Sequence, residues 1–192
     1  MRAFEPGQYI AIGRVLGGGN GAGRLVQRTY SIGSSAKKRE SVELFIVRVD
    51  EGELTSWLMD EGEGARVWLA PRAKGRFTLE SFERGKDLVL VATGTGIAPY
   101  LSMYRTYRDD PPWRRIVIIN GARYAADLGY RRELEAEAAK RRDLVYLPTV
   151  TREAEDSGWK GLRGRVDAVL APETYARLSG APLDPDQCHV YL

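Results

Sequence analysis

The chain has 192 residues, 43% of them hydrophobic, including ten tyrosines and four tryptophans; such content supports a buried core in one large or two small domains and excludes intrinsic disorder. The net charge of +3 suits an anionic cofactor, an acidic partner or nucleic acid, and selects none of them. A single cysteine, Cys188, and a single histidine, His189, exclude an internal disulfide, a Cys/His zinc site and a cysteine-held iron–sulfur cluster, so redox chemistry here needs a bound organic cofactor or a partner.

The lone cysteine fits a reducing cytoplasm. No apolar run approaches the roughly 20 residues that span a bilayer, and the N-terminus lacks a secretion signal. The expectation is a soluble, cytoplasmic protein with no membrane or nucleic-acid partner.

The first half reads as β. Residues 8–12 form a short apolar run after Pro6-Gly7, and residues 25–32 form a second. The glycine-rich segment 17–23 between them is expected to close a hairpin. Residues 42–49 are β-branched and aromatic, which predicts another strand. Residues 55–60 suit a short helix with Thr55 as N-cap. Residues 66–70 and 75–79 predict two more strands. Short strands at this spacing suggest a small antiparallel barrel or sandwich.

The period changes in the second half. Residues 87–93 and 115–120 are continuous apolar runs, the pattern of strands buried on both faces. Residues 99–108 and 128–142 are helical, the latter with Leu134 and Ala138 on one face. Further strands are predicted at 143–147 and 189–192. Alternating strands and helices imply a doubly wound parallel sheet. The boundary falls near 81–86, giving domains 1–84 and 85–192.

Two motifs carry chemistry. Gly94-Thr95-Gly96-Ile97-Ala98-Pro99 follows a buried strand and opens a helix. Two glycines let backbone N–H groups approach a phosphate, and a helix N-terminus favours negative charge. Pro99 suits the first helical turn, although it replaces the third glycine of the usual dinucleotide pattern. A plain tight turn has the same appearance. On the earlier strand, Arg28-Thr29-Tyr30-Ser31 alternates so that Arg28 and Tyr30 share a face. A guanidinium can hold a pyrophosphate, and a tyrosine ring can stack on a flat heterocycle. A surface arginine beside a barrel tyrosine is the simpler reading of those residues alone. Ser31 points away from them unless the strand bends.

The ordered set Arg28-x-Tyr30-Ser31, Gly52-Glu53-Leu54-Thr55-Ser56 and Gly94-Thr95-Gly96-Ile97-Ala98-Pro99-Tyr100-Leu101-Ser102 resembles the ferredoxin–NADP⁺ reductase superfamily. The segments Gly121-Ala122-Arg123-Tyr124-Ala125-Ala126-Asp127-Leu128 and Val150-Thr151-Arg152-Glu153 resemble its bacterial ferredoxin/flavodoxin–NADP⁺ reductase branch.

This resemblance implies an antiparallel β-barrel that binds FAD, followed by an α/β doubly wound domain that binds NADP(H). Arg28 and Thr29 would hold FAD, with Arg28 on its pyrophosphate. Tyr30 would stack beside the isoalloxazine and Ser31 would lie near N5, the two residues closest to the chemistry. Phe45 and Val47 would line the flavin. Glu53, Leu54, Thr55 and Ser56 would offer N–H and hydroxyl groups to the pyrophosphate. Thr95 would touch the flavin side, and Gly94, Gly96 and Pro99 the NADP pyrophosphate. Ala122, Arg123, Thr151, Arg152 and Arg165 would surround the NADP end. The three arginines favour NADP(H) over NAD(H), because guanidinium forks suit a 2′-phosphate.

The implied reaction is hydride transfer between nicotinamide and flavin N5, with ferredoxin or flavodoxin as one-electron partner. By the same resemblance, a first barrel strand and a C-terminal loop and tail are missing from these 192 residues; the chain reads as truncated at both ends, which would weaken FAD binding and slow turnover. Two alternatives stand beside this reading. One is an NAD(P)H-dependent reductase component of an oxygenase or other electron-transfer chain. The other is an inactive fragment that binds nucleotide or a partner. Cys188 and His189 read as edge or core residues.

Overall fold

The computed structural model describes residues 3–17 and 23–192. Within the chain two compact units form by contact: one runs up to Leu79 and includes Ala98–Thr106, the other comprises Glu80–Ile97 and Tyr107–Leu192.

The first unit is built on a three-stranded antiparallel sheet. β1 (Tyr9–Leu16) pairs with β2 (Arg24–Ser31) in register from Tyr9↔Ser31 to Leu16↔Arg24. β3 (Trp68–Leu69) joins the other side of β1, giving the order β2-β1-β3. The expected hairpin pairing is therefore present, while most of its glycine-rich turn lies outside the described residues. One side packs Phe4, Ile10 and Ile32. A second cluster joins Ile12 and Val26 to Leu54, which precedes α1 (Thr55–Glu61).

Two predicted strands do not form. Residues 42–49 contribute one isolated bridge, Ile32↔Leu44. Side chains take the backbone groups that a ladder would use: Glu43 N–H donates to Ser34 Oγ at 3.1 Å, and Val49 N–H donates to Thr55 Oγ1 at 3.0 Å. The Val49 carbonyl accepts from Ser56 Oγ at 2.8 Å. Such local bonds compete directly with sheet pairing. Residues 75–79 turn instead, with Gly75 at φ +116° and Thr78 N–H bonded to the Arg76 carbonyl at 2.9 Å. The predicted strand 66–70 shrinks to β3. Thr55 does not cap α1, because its hydroxyl is committed to Val49; Leu54 is the N-cap, with no side-chain hydrogen bond.

The second unit holds a five-stranded parallel sheet, ordered β7-β6-β5-β4-β8. Its strands are β4 (Asp87–Thr93), β5 (Arg115–Ala122), β6 (Leu144–Val150), β7 (Leu162–Arg163) and β8 (Cys188–Tyr191). β4 and β5 carry the apolar runs that the sequence marks as buried on both faces. Val89, Val91, Val117, Ile119 and Leu147 pack on one face against Val169 of α4 (Val166–Leu170) and Tyr175 of α5 (Pro172–Ser179). Burying each such side chain contributes about 1.5–3 kcal/mol. Leu88, Leu90, Ile116 and Ile118 fill the other face, fully buried. There α3 (Arg131–Ala138) lies along β6. The buried Asn120 amide on that face donates to Tyr146 Oη at 3.1 Å.

Several elements differ from expectation. α3 is shorter than 128–142, since Tyr130 at φ +61° stops it from starting earlier. β7, α4 and α5 were not predicted. A two-residue strand and two short helices lie below the windows in which periodicity can be read. α2 (Ile97–Tyr107) follows a single 3₁₀ turn at Gly94–Gly96. Residues 98–106 of α2 group with the first unit through polar contacts. Ser102 Oγ donates to the Ser34 carbonyl at 2.7 Å, and Arg105 donates to the Gly33 carbonyl at 3.0 Å.

At the amino edge of the parallel sheet, buried Asp87 accepts from Arg114 Nε at 2.9 Å and pairs with Arg115. Arg115 also donates to the Ser179 carbonyl at 2.8 Å, fixing α5 to the start of β5.

Candidate functional site

The first unit presents one chemically distinctive face on the β1–β2 hairpin. Directly opposed residues of an antiparallel pair share a face. The register pairs Ile10 with Tyr30, Ile12 with Arg28, Arg14 with Val26 and Leu16 with Arg24. Arg28 and Tyr30 therefore stand together, as their spacing predicts, and Arg14 and Arg24 join them.

Glu53, on the turn before α1, lies among these arginines and is ion-paired with Arg24. That bond, with the added charge of Arg28 and Arg14, holds its carboxyl below the usual carboxylate range. Arg14 also stacks on the Trp57 ring at 4.7 Å. Tyr30 is half-buried and packs with Leu54 and Trp57; burial raises its hydroxyl pKa and the Arg28 charge opposes this. Three guanidinium groups against one carboxylate leave a positive surface beside an aromatic ring.

The other first-unit candidates divide. Thr29 is exposed on the opposite face of β2. The ladder runs unbroken to Tyr9↔Ser31, so alternation sets Ser31 away from Tyr30. Phe45 is half-buried, and Val47 is 57% exposed. Leu54 and Thr55 are buried. The hydroxyls of Thr55 and Ser56 are bonded to the backbone of Val49 and Asp50, which leaves backbone N–H groups as what that turn can offer an anion.

The second unit gathers its candidates at the carboxyl ends of adjacent strands, where open α/β sheets bind ligands. Gly94–Gly96 follows β4, Arg123 follows β5, Arg152 follows β6, and Arg165 follows β7 as N-cap of α4. In the order β7-β6-β5-β4, Arg123 and Arg152 stand one and two strand spacings from the glycine turn, at about 4.8 Å per spacing; Arg165 opens α4, whose first residue, Val166, lies against Gly121 of β5. Gly94 has φ +53°, and a Cβ there would meet nothing within 4 Å, so its outer face is open. Thr95 and Gly96 are exposed; Pro99 is buried inside α2.

Gly121 serves a different purpose: a Cβ there would come within 2.6 Å of Val166 Cγ1, so its absence lets α4 close onto β5. The loops after β5 and β6 are joined by their backbones. Thr151 N–H donates to the Ala122 carbonyl at 3.1 Å, and Arg152 N–H donates to the Arg123 carbonyl at 2.8 Å. The Arg123 and Arg152 guanidinium groups make no hydrogen bond or ion pair among the described residues. Arg165 has a 3.4 Å contact with Asp167 and an 81% exposed side chain, a pair weak enough to yield to a phosphate.

Sequence reading missed Arg14, Arg24, Glu153 and Arg163. Period-two spacing from Arg28 could have found Arg24. Arg14 needed the hairpin register, and the other two needed the loop contacts. Cys188 packs in the sheet core and His189 lies 5.1 Å from the Phe82 ring. Burial, with Asp87 and Asp184 adding negative charge, raises the Cys188 thiol pKa, the reverse of what a reactive thiolate needs. Among the described residues no cluster of acidic, His or Cys side chains could hold a metal, and no helix is long and apolar enough to cross a membrane.

The glycine turn and arginine edge on a parallel sheet define a nucleotide-binding α/β unit. In agreement, residues 90–192 match the oxidoreductase NAD-binding domain family. Over nearly its whole length the chain is similar to ferredoxin–NADP reductase A of Sorangium cellulosum, with 36% identity covering 95% of this chain and 65% of that protein. It is 33% identical to ferredoxin–NADP reductase of Azotobacter vinelandii, covering 95% of this chain and 70% of the relative. A Neisseria gonorrhoeae ferredoxin NADP⁺ reductase crystallised with FAD and NADP superposes with a TM-score of 0.83 at 26% identity, covering 97% of this chain and 72% of that one. The chain belongs to the ferredoxin/flavodoxin–NADP reductase family. It spans about two thirds of the length of the curated relatives it matches.

Proposed function

We propose that this chain is the cofactor-binding body of an FAD-dependent, NADP(H)-linked oxidoreductase whose electron partner is ferredoxin or flavodoxin. The observation that carries the reading is the gathering of Arg123, Arg152 and Arg165 at the carboxyl ends of the parallel strands, where the Gly94–Gly96 turn also lies. Such a group suits a nucleotide with a pyrophosphate at one end and a 2′-phosphate at the other.

The first unit fits the second cofactor. Arg28 with Arg14 and Arg24 supplies the charge for an FAD pyrophosphate, and Tyr30 supplies a ring for the isoalloxazine. In this reading the unit is a barrel-type FAD domain over residues 1–84, followed by the NADP domain over 85–192. Phe45 and Val47 line the flavin, and the N–H groups around Leu54 face the pyrophosphate. Bound FAD would supply hydride acceptance from NADPH and one-electron release to the carrier. The protein's part is to bind, orient and keep water out. A soluble, cytoplasmic setting accords with the lone half-buried cysteine.

The test is reconstitution with FAD followed by dye reduction with NADPH and NADH. Flavin that stays with the protein on gel filtration, and faster turnover with NADPH, are expected. A chain that cannot be loaded with FAD would refute the flavin assignment. Equal use of both nucleotides would favour a reductase component of an oxygenase-type chain.

A further inference from the structure

Glu153 and Arg163 belong to the same edge but do not point outward as ligands. The Glu153 carboxylate accepts the Ala125 N–H at 2.6 Å, clipping the loop after β6 to the one after β5. Arg163 donates through one terminal nitrogen to the Glu153 carbonyl at 2.6 Å and through the other to the Ala154 carbonyl at 2.9 Å. The strand that carries Arg163 is tied in turn: Gly164 N–H donates to the Val150 carbonyl at 2.9 Å, and Thr149 Oγ1 donates to the Gly164 carbonyl at 2.8 Å. Arg123, Arg152 and Arg165 each lie within two residues of one of these ties.

The chemistry separates two kinds of arginine. Both terminal nitrogens of Arg163 are held by carbonyls, while the guanidinium groups of Arg123 and Arg152 have no such partner among the described residues. Three like charges left on mobile loops would repel and spread. Hydrogen bonds to each of the three loops, from backbone and side chains, fix their spacing before any anion arrives, so less ordering remains to be done on binding.

We infer that Glu153 and Arg163 are positioning residues: they lace the loops after β5, β6 and β7 so that Arg123, Arg152 and Arg165 converge on a 2′-phosphate, and they thereby set the preference for NADP(H) over NAD(H). This rests on the nucleotide assignment given above.

The test is calorimetric titration of the chain with 2′,5′-ADP and with 5′-ADP. It compares the unsubstituted protein with E153A, E153Q, R163A and R152A. Loss of the ties is expected to weaken 2′,5′-ADP binding about three- to tenfold in E153A and R163A, in the lower part of the range of coupling between neighbouring groups, with 5′-ADP changed far less. E153Q keeps an oxygen for the Ala125 N–H and is expected to bind as the parent does. Amide exchange at Ala125 gives a readout independent of nucleotide: it should speed up in E153A and not in E153Q. If R152A loses 2′,5′-ADP selectivity while E153A and R163A keep it, the positioning role is wrong and the nucleotide assignment survives. Equal losses for both nucleotides would also overturn it, as general damage. If R152A itself leaves the selectivity unchanged, both fall.

Discussion

Glu53 is ion-paired with Arg24, on the hairpin face that also carries Arg28 and Arg14. The carboxylate lies in the field of all three guanidinium groups. If the FAD pyrophosphate takes these arginines as proposed, it competes with Glu53 for them. E53Q is expected to tighten FAD, and R28A to weaken it about ten- to hundredfold, the range for losing a hydrogen bond to a charged group. Fluorescence titration of flavin into both variants checks this; weaker FAD binding in E53Q would show that the carboxylate assists the cofactor.

The same pair sets a pH dependence. The folded pKa of Glu53 is depressed, chiefly by its hydrogen bond to Arg24. Its contribution to stability is therefore present above the unfolded carboxylate value, about 4.3, and is lost as pH falls through the lower folded value. Urea unfolding between neutral and acid pH should show a shallower acid limb in E53Q than in the parent. Both groups are exposed, so added salt should shrink the difference.

Arg152 is expected to carry nucleotide selectivity. R152A should raise the KM for NADPH about tenfold or more, as expected for a lost charge-assisted contact, and leave the KM for NADH nearly unchanged. R165A should act in the same direction, while kcat stays near the parent value for both. Steady-state dye reduction with each nucleotide is the measurement.

Gly121 is a packing position. Its Cβ would meet Val166 Cγ1 at 2.6 Å, so G121A must push α4 away from β5. Overpacking of this sort costs about 1–3 kcal/mol. At roughly 2–4 °C per kcal/mol for a chain of this size, a fall in Tm of several degrees is expected by scanning calorimetry. An unchanged Tm would mean that α4 moves freely.

Asp87 is the anchor at the opposite edge. It is 4% exposed and faces Arg114 and Arg115. The arginines left behind keep solvent access, with the Arg114 side chain 56% and the Arg115 side chain 17% exposed, so losing the carboxylate should cost about 1.5–3 kcal/mol, as for a hydrogen bond to a charged group. D87A should lower stability in that range in denaturant titration, without altering the ratio of NADPH to NADH turnover. A shift in that ratio would indicate that the two edges of the sheet are coupled.

The sequence was most legible where one local signal sufficed. β4 and β5 were found because a run buried on both faces is apolar at every position. The Gly94–Gly96 turn was found because it joins such a run to a helix. Residues 42–49 misled, because β-propensity reports what fits a pleated surface and not whether a partner strand is free. Thr55 and Ser56 took the backbone of Val49, and no local pattern announces that choice.

The family motifs, the parallel sheet and the arginines as candidates for anion binding follow from residue type and short-range period. Which charges meet follows from the fold. The β1–β2 register sets Arg14 on the face that carries Arg28, the strand order sets the ends that carry Arg123 and Arg152 side by side, and the packing of α4 on β5 brings Arg165 over them. The physical reason is that register and strand order come from pairing between distant segments. A side chain's neighbours across a sheet are set by those pairings, and period and spacing along the chain do not contain them.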